Sequence, residues 1–246
     1  MVSFIVPAYN EELELSRTLA AIRDAASGAG QRYEIIVVDD ASTDATPKIA
    51  SHFGARVVPI RRRQIAAARN AGARVAGGEY FVFVDADTRI GSQHVAQAIR
   101  ALESGCAGGG ARIALDGRIP LWGRLMERLF CAVYFGLNLG AGAFLFTTRA
   151  NFNAIGGFDE RYFVGEEVHF SLALRKLGRF KVLRTQVVTS GRKLRLYSAR
   201  QILGDFFTVI LGGRRAAFSR AKLRLWYDGK RENVPAEFED SARSGC

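Results

Sequence analysis

Cysteine is scarce in this chain: Cys106, Cys131 and Cys246 are its only thiols, and no two of them stand in CxxC spacing. So odd and scattered a set fits neither a disulfide scaffold nor a zinc site, and a reducing, cytoplasmic setting is expected. No stretch rich in proline, glycine or serine divides the 246 residues, and the 26 glycines are spread along the chain without repeat or low-complexity tract. One continuous domain is therefore expected, with enough apolar residues (48%) for a full core. No basic leader with a small-residue cleavage site opens the chain, so "MVSFIVPAYN" reads as a first strand and not as a signal peptide. Neither a GxSxG nucleophile elbow nor an early glycine-rich phosphate loop is present, which argues against serine hydrolases and nucleotidyl transferases. One long apolar run exists, Leu129 to Phe146, interrupted by Asn138 and three glycines and at the lower length limit for a membrane span. It is expected as a buried helix leading into a core strand, with a membrane-dipping segment as the alternative.

Acidic residues are also outnumbered. Thirty-five Lys and Arg against 24 Asp and Glu give a net charge of +11, a surface that favours anions: nucleic acid, phosphorylated metabolites or acidic lipid headgroups. A nucleic-acid module needs an unbroken basic stripe, and acid pairs interrupt the sheet edge such a stripe would use, so no nucleic-acid partner is expected.

The first ninety residues alternate short apolar runs with helix-like segments, the signature of βαβ units and a parallel sheet. "VSFIVPA", "YEIIVVDDAS", "ARVVPI" and "EYFVFVDADT" read as strands. Between them "EELELSRTLAAIRDAA", with an apolar stripe of Leu13, Leu15, Leu19 and Ile22, then "DATPKIASHF" and "QIAAARNAGARVA" read as helices. The second half carries a basic amphipathic piece, "RIPLWGRLMERLF", and a strand, "RFKVLRTQVVTS". Residues 1–90 are thus expected as one half of the domain, 91–200 as the other, and 201–246 as a basic tail, helical and membrane-associated.

Polar clusters fall where an open parallel sheet binds its ligands, beyond the carboxyl ends of strands. Asn10 and Glu11 follow strand one, Asp39 and Asp40 end strand two, and Asp85 and Asp87 follow strand four. Residues i and i+2 of an extended segment face one side, so Asp85 and Asp87 can converge. Two like charges that close raise one pKa unless a cation lies between them. A hard divalent ion, Mg2+ or Mn2+, satisfies both and leaves positions for waters and phosphate oxygens. A turn-capping acid pair is the alternative. Asp39 and Asp40 suit hydrogen bonds to a base or ribose, or else an Asx turn with Ser42 and Thr43, with Asp44 capping the next helix.

"FIVPAYNEE", "VVDDASTDAT", "AAARNAG", "GEYFVFVDADT" and "GGFDERYFVGEEVHFSLALRKLG" occur in the order and spacing of glycosyltransferase family 2, which the chain resembles from about Val2 to Gly178. The resemblance implies an α/β, GT-A type fold, with a Rossmann-like, mainly parallel mixed sheet flanked by helices, over residues 1–200: a nucleotide-binding half (1–90) and an acceptor-binding half (91–200). It implies an inverting, metal-assisted transfer of sugar from a nucleotide-diphosphate sugar to an acceptor hydroxyl or phosphate, a lipid-linked or envelope-glycan acceptor among the options. By the same resemblance Pro7, Tyr9 and Glu11 line the nucleotide pocket and Asp39, with Asp40, contacts base and ribose. Arg69 lies beneath the nucleotide, and Asp85 and Asp87 form the metal-diphosphate motif. The family's base is the second acid of a Glu-Asp pair after "GGFD"; here Glu166–Glu167 stands instead, so Glu167 falls at the base position and Glu166 is the substitute. A helix N-terminus that merely favours acids is the structural alternative for this pair.

Arg192 and Lys193 in "TSGRKLRLYS" resemble a diphosphate-contacting basic segment, with Arg195 a weaker third, whereas Arg61, Arg62 and Arg63 read as a solvated loop. His169 reads either as a site residue or as helix packing. The tail's cations beside Phe218, Leu223, Leu225 and Trp226 suit an anionic membrane surface, which would place the protein on the inner face of the membrane. A catalytically inactive GT-A protein that binds nucleotide sugar or anions is the other reading of the whole.

Overall fold

The computed structural model describes residues 1–204 and, beyond them, Thr208, Gly213, Ala217 and Phe218. The expected membrane-binding tail therefore lies almost wholly outside the described residues.

The elements in chain order are β1 (Val2–Ala8), α1 (Leu15–Gly28), β2 (Tyr33–Asp40), α2 (Thr46–His52), β3 (Arg56–Ile60), α3 (Ile65–Val75) and β4 (Tyr80–Val84). There follow β5 (Thr88–Arg89), α4 (Ser92–Glu103), β6 (Cys106–Leu115), α5 (Leu121–Gly136), β7 (Phe144–Thr148), α6 (Arg149–Ala154), α7 (Glu166–Leu177), β8 (Arg179–Thr189) and α8 (Arg192–Leu196). All eight strands form one sheet in the order β3-β2-β1-β4-β7-β6-β8-β5. β3, β2, β1 and β4 run parallel, β7 is antiparallel to both β4 and β6, and β8 runs parallel to β6.

Both faces of the sheet are covered, which is why its central strands read as unbroken apolar runs. Along β1, Val2, Phe4 and Val6 join one buried cluster with Leu15, Leu19 and Ile22 of α1, while Ile5 joins the opposite cluster with Ala68 and Ala71 of α3. α3 is built of small residues because it lies hard against the sheet: a Cβ on Gly72 would collide with Ile5. On the same face Phe83 is ringed by Phe152, Phe158 and Phe170, with Phe158 and Phe170 stacked at 4.0 Å. Each such pair adds ~0.5–1.5 kcal/mol beyond burial. The cluster clamps the "GGFD" loop and α7 onto β4, which fixes the start of α7 relative to the end of β4.

Two expectations need correction. α1 begins at Leu15, after a turn at residues 12–14, so Leu13 is exposed and contributes nothing to the stripe. The apolar run from Leu129 divides as expected into helix and core strand, but the helix, α5, is not buried. Leu121, Leu125, Leu129, Val133 and Leu137 all stand out from the surface. β7, by contrast, is core, with Phe144, Leu145 and Phe146 fully buried.

Candidate active site

Strand order reverses between β1 and β4, and in an open α/β sheet the ligand crevice opens at that switch, beyond the carboxyl ends of the strands. A cavity of about 400 Å3 lies there. Pro7, Tyr9 and Glu11 enter it from the end of β1, Asp85 and Asp87 from the end of β4, Glu166 and Glu167 from the start of α7, and Arg192 and Lys193 from α8. The sequence had these residues on four separate stretches; the fold brings them to one cavity. Three of the four described non-glycine residues with left-handed backbone lie just past β1, β2 and β3, beside or among the lining residues in sequence: Asn10 (φ 50°) between Tyr9 and Glu11, Ala41 (φ 63°) after Asp40, and Arg63 (φ 51°) itself. Strain of this kind persists only where surrounding structure holds it, and it concentrates at functional sites.

Arg69, 1% exposed, is the site's central cation. Its Nη1 donates to Glu166 Oε1 at 2.8 Å, and its Nη2 donates to Asp85 Oδ1 at 2.9 Å and to the Gly142 carbonyl at 3.1 Å. Burial alone would lower its pKa, but the charges of Asp85, Glu166 and Glu167 outweigh burial and keep it ionised. Next to it Asn70 is also buried: its Nδ2 donates to the Phe158 carbonyl and to Glu160 Oε1, and its Oδ1 accepts from the Phe158 N–H. The "ARN" triplet thus ties the "GGFDE" loop to α3 and holds the first acid of α7 against the first acid of the β4 motif.

Glu166 and Glu167 are separated in role by this geometry. Glu166 is 4% exposed and bound to Arg69. Glu167 is half-buried on the cavity wall, and burial first, then the charge of Glu166, pushes its carboxyl up to about 8. Tyr134 of α5 brings its hydroxyl within 3.5 Å of Glu167 Oε1. Burial and the two glutamates raise the phenol pKa, so the tyrosine stays protonated as a donor.

At the other end of the cavity Arg192 donates from Nη1 and Nη2 to both oxygens of Glu11, at 2.6 and 2.7 Å, and lies 3.2 Å from Asp87 Oδ2. Thr189 at the end of β8 donates to Asp87 Oδ1 at 3.2 Å. Burial first, then Glu11 and Asp85, push the Asp87 carboxyl up to about 6 against the pull of Arg192. Among the described residues no three acidic, histidine or cysteine side chains converge as a complete metal cage. A hard divalent ion held by one or two carboxylates and completed by phosphate oxygens and waters needs no such cage. Asp87 and Asp85 fit that chemistry: two carboxylates, two residues apart, on one cavity wall.

Asp39 and Asp40 are placed differently from each other. Asp40 reaches the cavity wall, and its two oxygens accept from the N–H groups of Arg62 and Gln64, at 2.7 and 2.8 Å, which holds the loop before α3. Asp39 does not line the cavity; its Oδ1 accepts from the Ser42 N–H, the Asx-type turn foreseen as the alternative. Asp44 accepts from the Thr46 N–H at the start of α2, as assigned. His169 stacks on Tyr162 at 3.8 Å and is absent from the cavity wall, while Arg195 turns outward to the Asp116 carbonyl.

The sequence reading missed Arg63, Tyr134 and Phe130. Arg63 is no idle loop cation: its guanidinium lies over the Tyr9 ring, 3.1 Å from the centroid, on the cavity wall. An Arg triplet after a strand gave that signal only weakly, since nothing in it selects the third arginine. Phe130 and Tyr134 sit in an apolar helix whose facing cannot be told from sequence.

The sequence profile of the family described as Glycosyl transferase family 2 matches residues 3–185. The succinoglycan biosynthesis protein ExoO of Rhizobium meliloti (strain 1021) is 29% identical over 78% of this chain and 57% of its own length. The dolichol-phosphate mannosyltransferase of Pyrococcus furiosus is 33% identical over 49% of this chain and 36% of its own length. The chain thus spans little more than half of the first of these relatives and about a third of the second. In fold it is similar to the mannosyltransferase PcManGT of Pyrobaculum calidifontis, solved in complex with GDP-Man and Mn2+: TM-score 0.62 at 20% identity, covering 99% of this chain and 79% of that one.

Proposed function

The chain belongs to glycosyltransferase family 2, and on that premise we propose that it moves a sugar from a nucleotide-diphosphate sugar to an acceptor hydroxyl or phosphate, with inversion and with metal assistance. The observation that carries this reading is the pairing of two acid groups across one cavity: Asp85 and Asp87 at the end of β4, and Glu167 at the start of α7. A single in-line displacement needs a base on the acceptor side and charge compensation on the leaving-group side, and no protein nucleophile.

Glu167 is the base that takes the acceptor proton, because Glu166 is already committed to Arg69. Asp87 and Asp85 would hold Mg2+ or Mn2+, whose charge offsets that of the departing nucleoside diphosphate. Arg192 and Lys193 donate to the diphosphate. Pro7, Tyr9, Asp40 and Arg63 form the wall against the nucleoside, with Asp39 shaping the turn behind it. The acceptor is proposed to be lipid-linked, which the name of the Pyrococcus relative supports, and the enzyme then works at the inner face of a membrane. Among the described residues no helix is long and apolar enough to span one.

The test is a panel of UDP-, GDP- and dTDP-sugars with Mg2+ or Mn2+, wild type against Asp87→Ala. Release of one nucleoside diphosphate that depends on metal and is lost in the variant supports the reading. Absence of binding and turnover with every donor overturns it.

A further inference from the structure

Helix α5 is amphipathic with its apolar side outward. Leu121, Leu125, Leu129 and Val133, with Leu137 just past its end, are 56–83% exposed and recur every fourth residue, which makes them one continuous stripe. Arg124 and Arg128, three residues beyond Leu121 and Leu125, are exposed along one flank of that stripe. The acid within the helix, Glu127, is turned inward, its Oε1 accepting from the Leu115 N–H at 3.0 Å. The outward face therefore presents leucine and arginine with no carboxylate among them. A 16-residue helix of this make-up is too short to span a bilayer and suited to lie in its interface.

We infer that α5 is a docking surface for an anionic lipid bilayer, with the leucine stripe seated among the acyl chains and Arg124 and Arg128 at the headgroup phosphates. The charge of both the face and the chain favours this occupant over a protein partner: apolar groups flanked by Arg124 and Arg128, on a protein of net charge +11, match an anionic surface. The opposite side of α5 carries Phe130 into the cavity wall and Tyr134 to Glu167, so a helix lying in the interface sets the cavity mouth at headgroup level. Delivery of a lipid-linked acceptor to that mouth rests on the transfer reaction proposed above; bilayer binding does not.

The test is co-sedimentation of the full chain with phosphatidylcholine vesicles and with vesicles that also contain phosphatidylglycerol, at low and high salt. The wild type is expected to sediment with the anionic vesicles. Leu125→Gln/Leu129→Gln is expected to lose at least about tenfold in partitioning, because two leucines no longer leave water. Arg124→Gln/Arg128→Gln is expected to lose the preference for anionic lipid. Both positions in each pair are exposed, and circular dichroism and the melting temperature check that the variants fold. Three results overturn the inference: no sedimentation of wild type; equal sedimentation of the leucine variant, which moves binding to another element such as residues 205–246; or a wild-type dimer that the leucine variant dissolves without any lipid binding. Nucleoside-diphosphate release measured without vesicles should be unchanged in the leucine variant. Its absence in every protein, with vesicle binding intact, would sink the transfer reaction and leave the docking surface standing.

Discussion

Arg192 closes over Asp87, Nη2 to Oδ2 at 3.2 Å, while the same guanidinium clasps both oxygens of Glu11. The second acid of the β4 motif is thus met by a cation from α8, across the cavity from the end of β4. In the reaction proposed above, a diphosphate with its divalent ion would compete for both halves of this contact, the ion for Asp87 and the phosphate oxygens for Arg192.

Arg192→Ala is expected to raise KM for the nucleotide sugar by about 10- to 100-fold, the loss of one or two charge-assisted hydrogen bonds. Arg192→Lys should recover only part of this, because a point charge cannot replace a bidentate fork. Steady-state kinetics with a saturating acceptor measures it, and an unchanged KM in Arg192→Ala would remove this residue from the donor site.

The two glutamates of α7 should fail in different ways. Glu167→Gln is expected to keep donor binding and lose about 10^2- to 10^4-fold in transfer, the usual worth of a general base. Glu166→Gln is expected to cost about 2–3 kcal/mol of stability, because buried Arg69 loses a charged partner. Isothermal titration of the donor beside denaturant unfolding of both variants separates the roles. The reverse pattern would exchange them.

The pH profile follows from the raised pKa of Glu167. A base acts only when ionised, so kcat/KM for transfer should fall tenfold per unit as pH drops below about 8, and this limb should vanish in Glu167→Gln. Stability has the opposite sign. With the folded value raised from the ordinary 4.5 to about 8, the group's contribution is complete below pH 4.5 and is lost as pH climbs through 8. Wild type should therefore lose stability relative to Glu167→Gln between those limits, in melts taken across the range.

Tyr9→Ala should weaken donor binding by more than the lost ring contact alone, since Arg63 loses the face it lies on. Tyr9→Phe keeps that face and should bind nearly as wild type. Equal losses in both variants would shift the contribution from the ring to the phenol oxygen.

How much of this was legible in the sequence depended on whether a signal was local. Short apolar runs and helix-like segments, with turn chemistry between them, placed β1 to β4 and the helices α2 and α3 within a few residues, because central strands covered on both faces are apolar throughout. Positions at strand ends told where Glu11, Asp85 and Asp87 stand, since an open parallel sheet has only one edge for ligands.

Strands β1 to β4, the acids at their ends and the family were legible in the order of residues alone, because apolar runs, turn chemistry and ordered motifs are local signals. That Arg69 binds Glu166 and so leaves Glu167 facing the cavity, that Arg63 lies on Tyr9, and that α5 turns its leucines outward became visible with the folded chain. Those outcomes depend on long-range pairing between α3, α7 and β4 and on which side of an apolar helix finds a partner. No window of neighbouring residues contains that information.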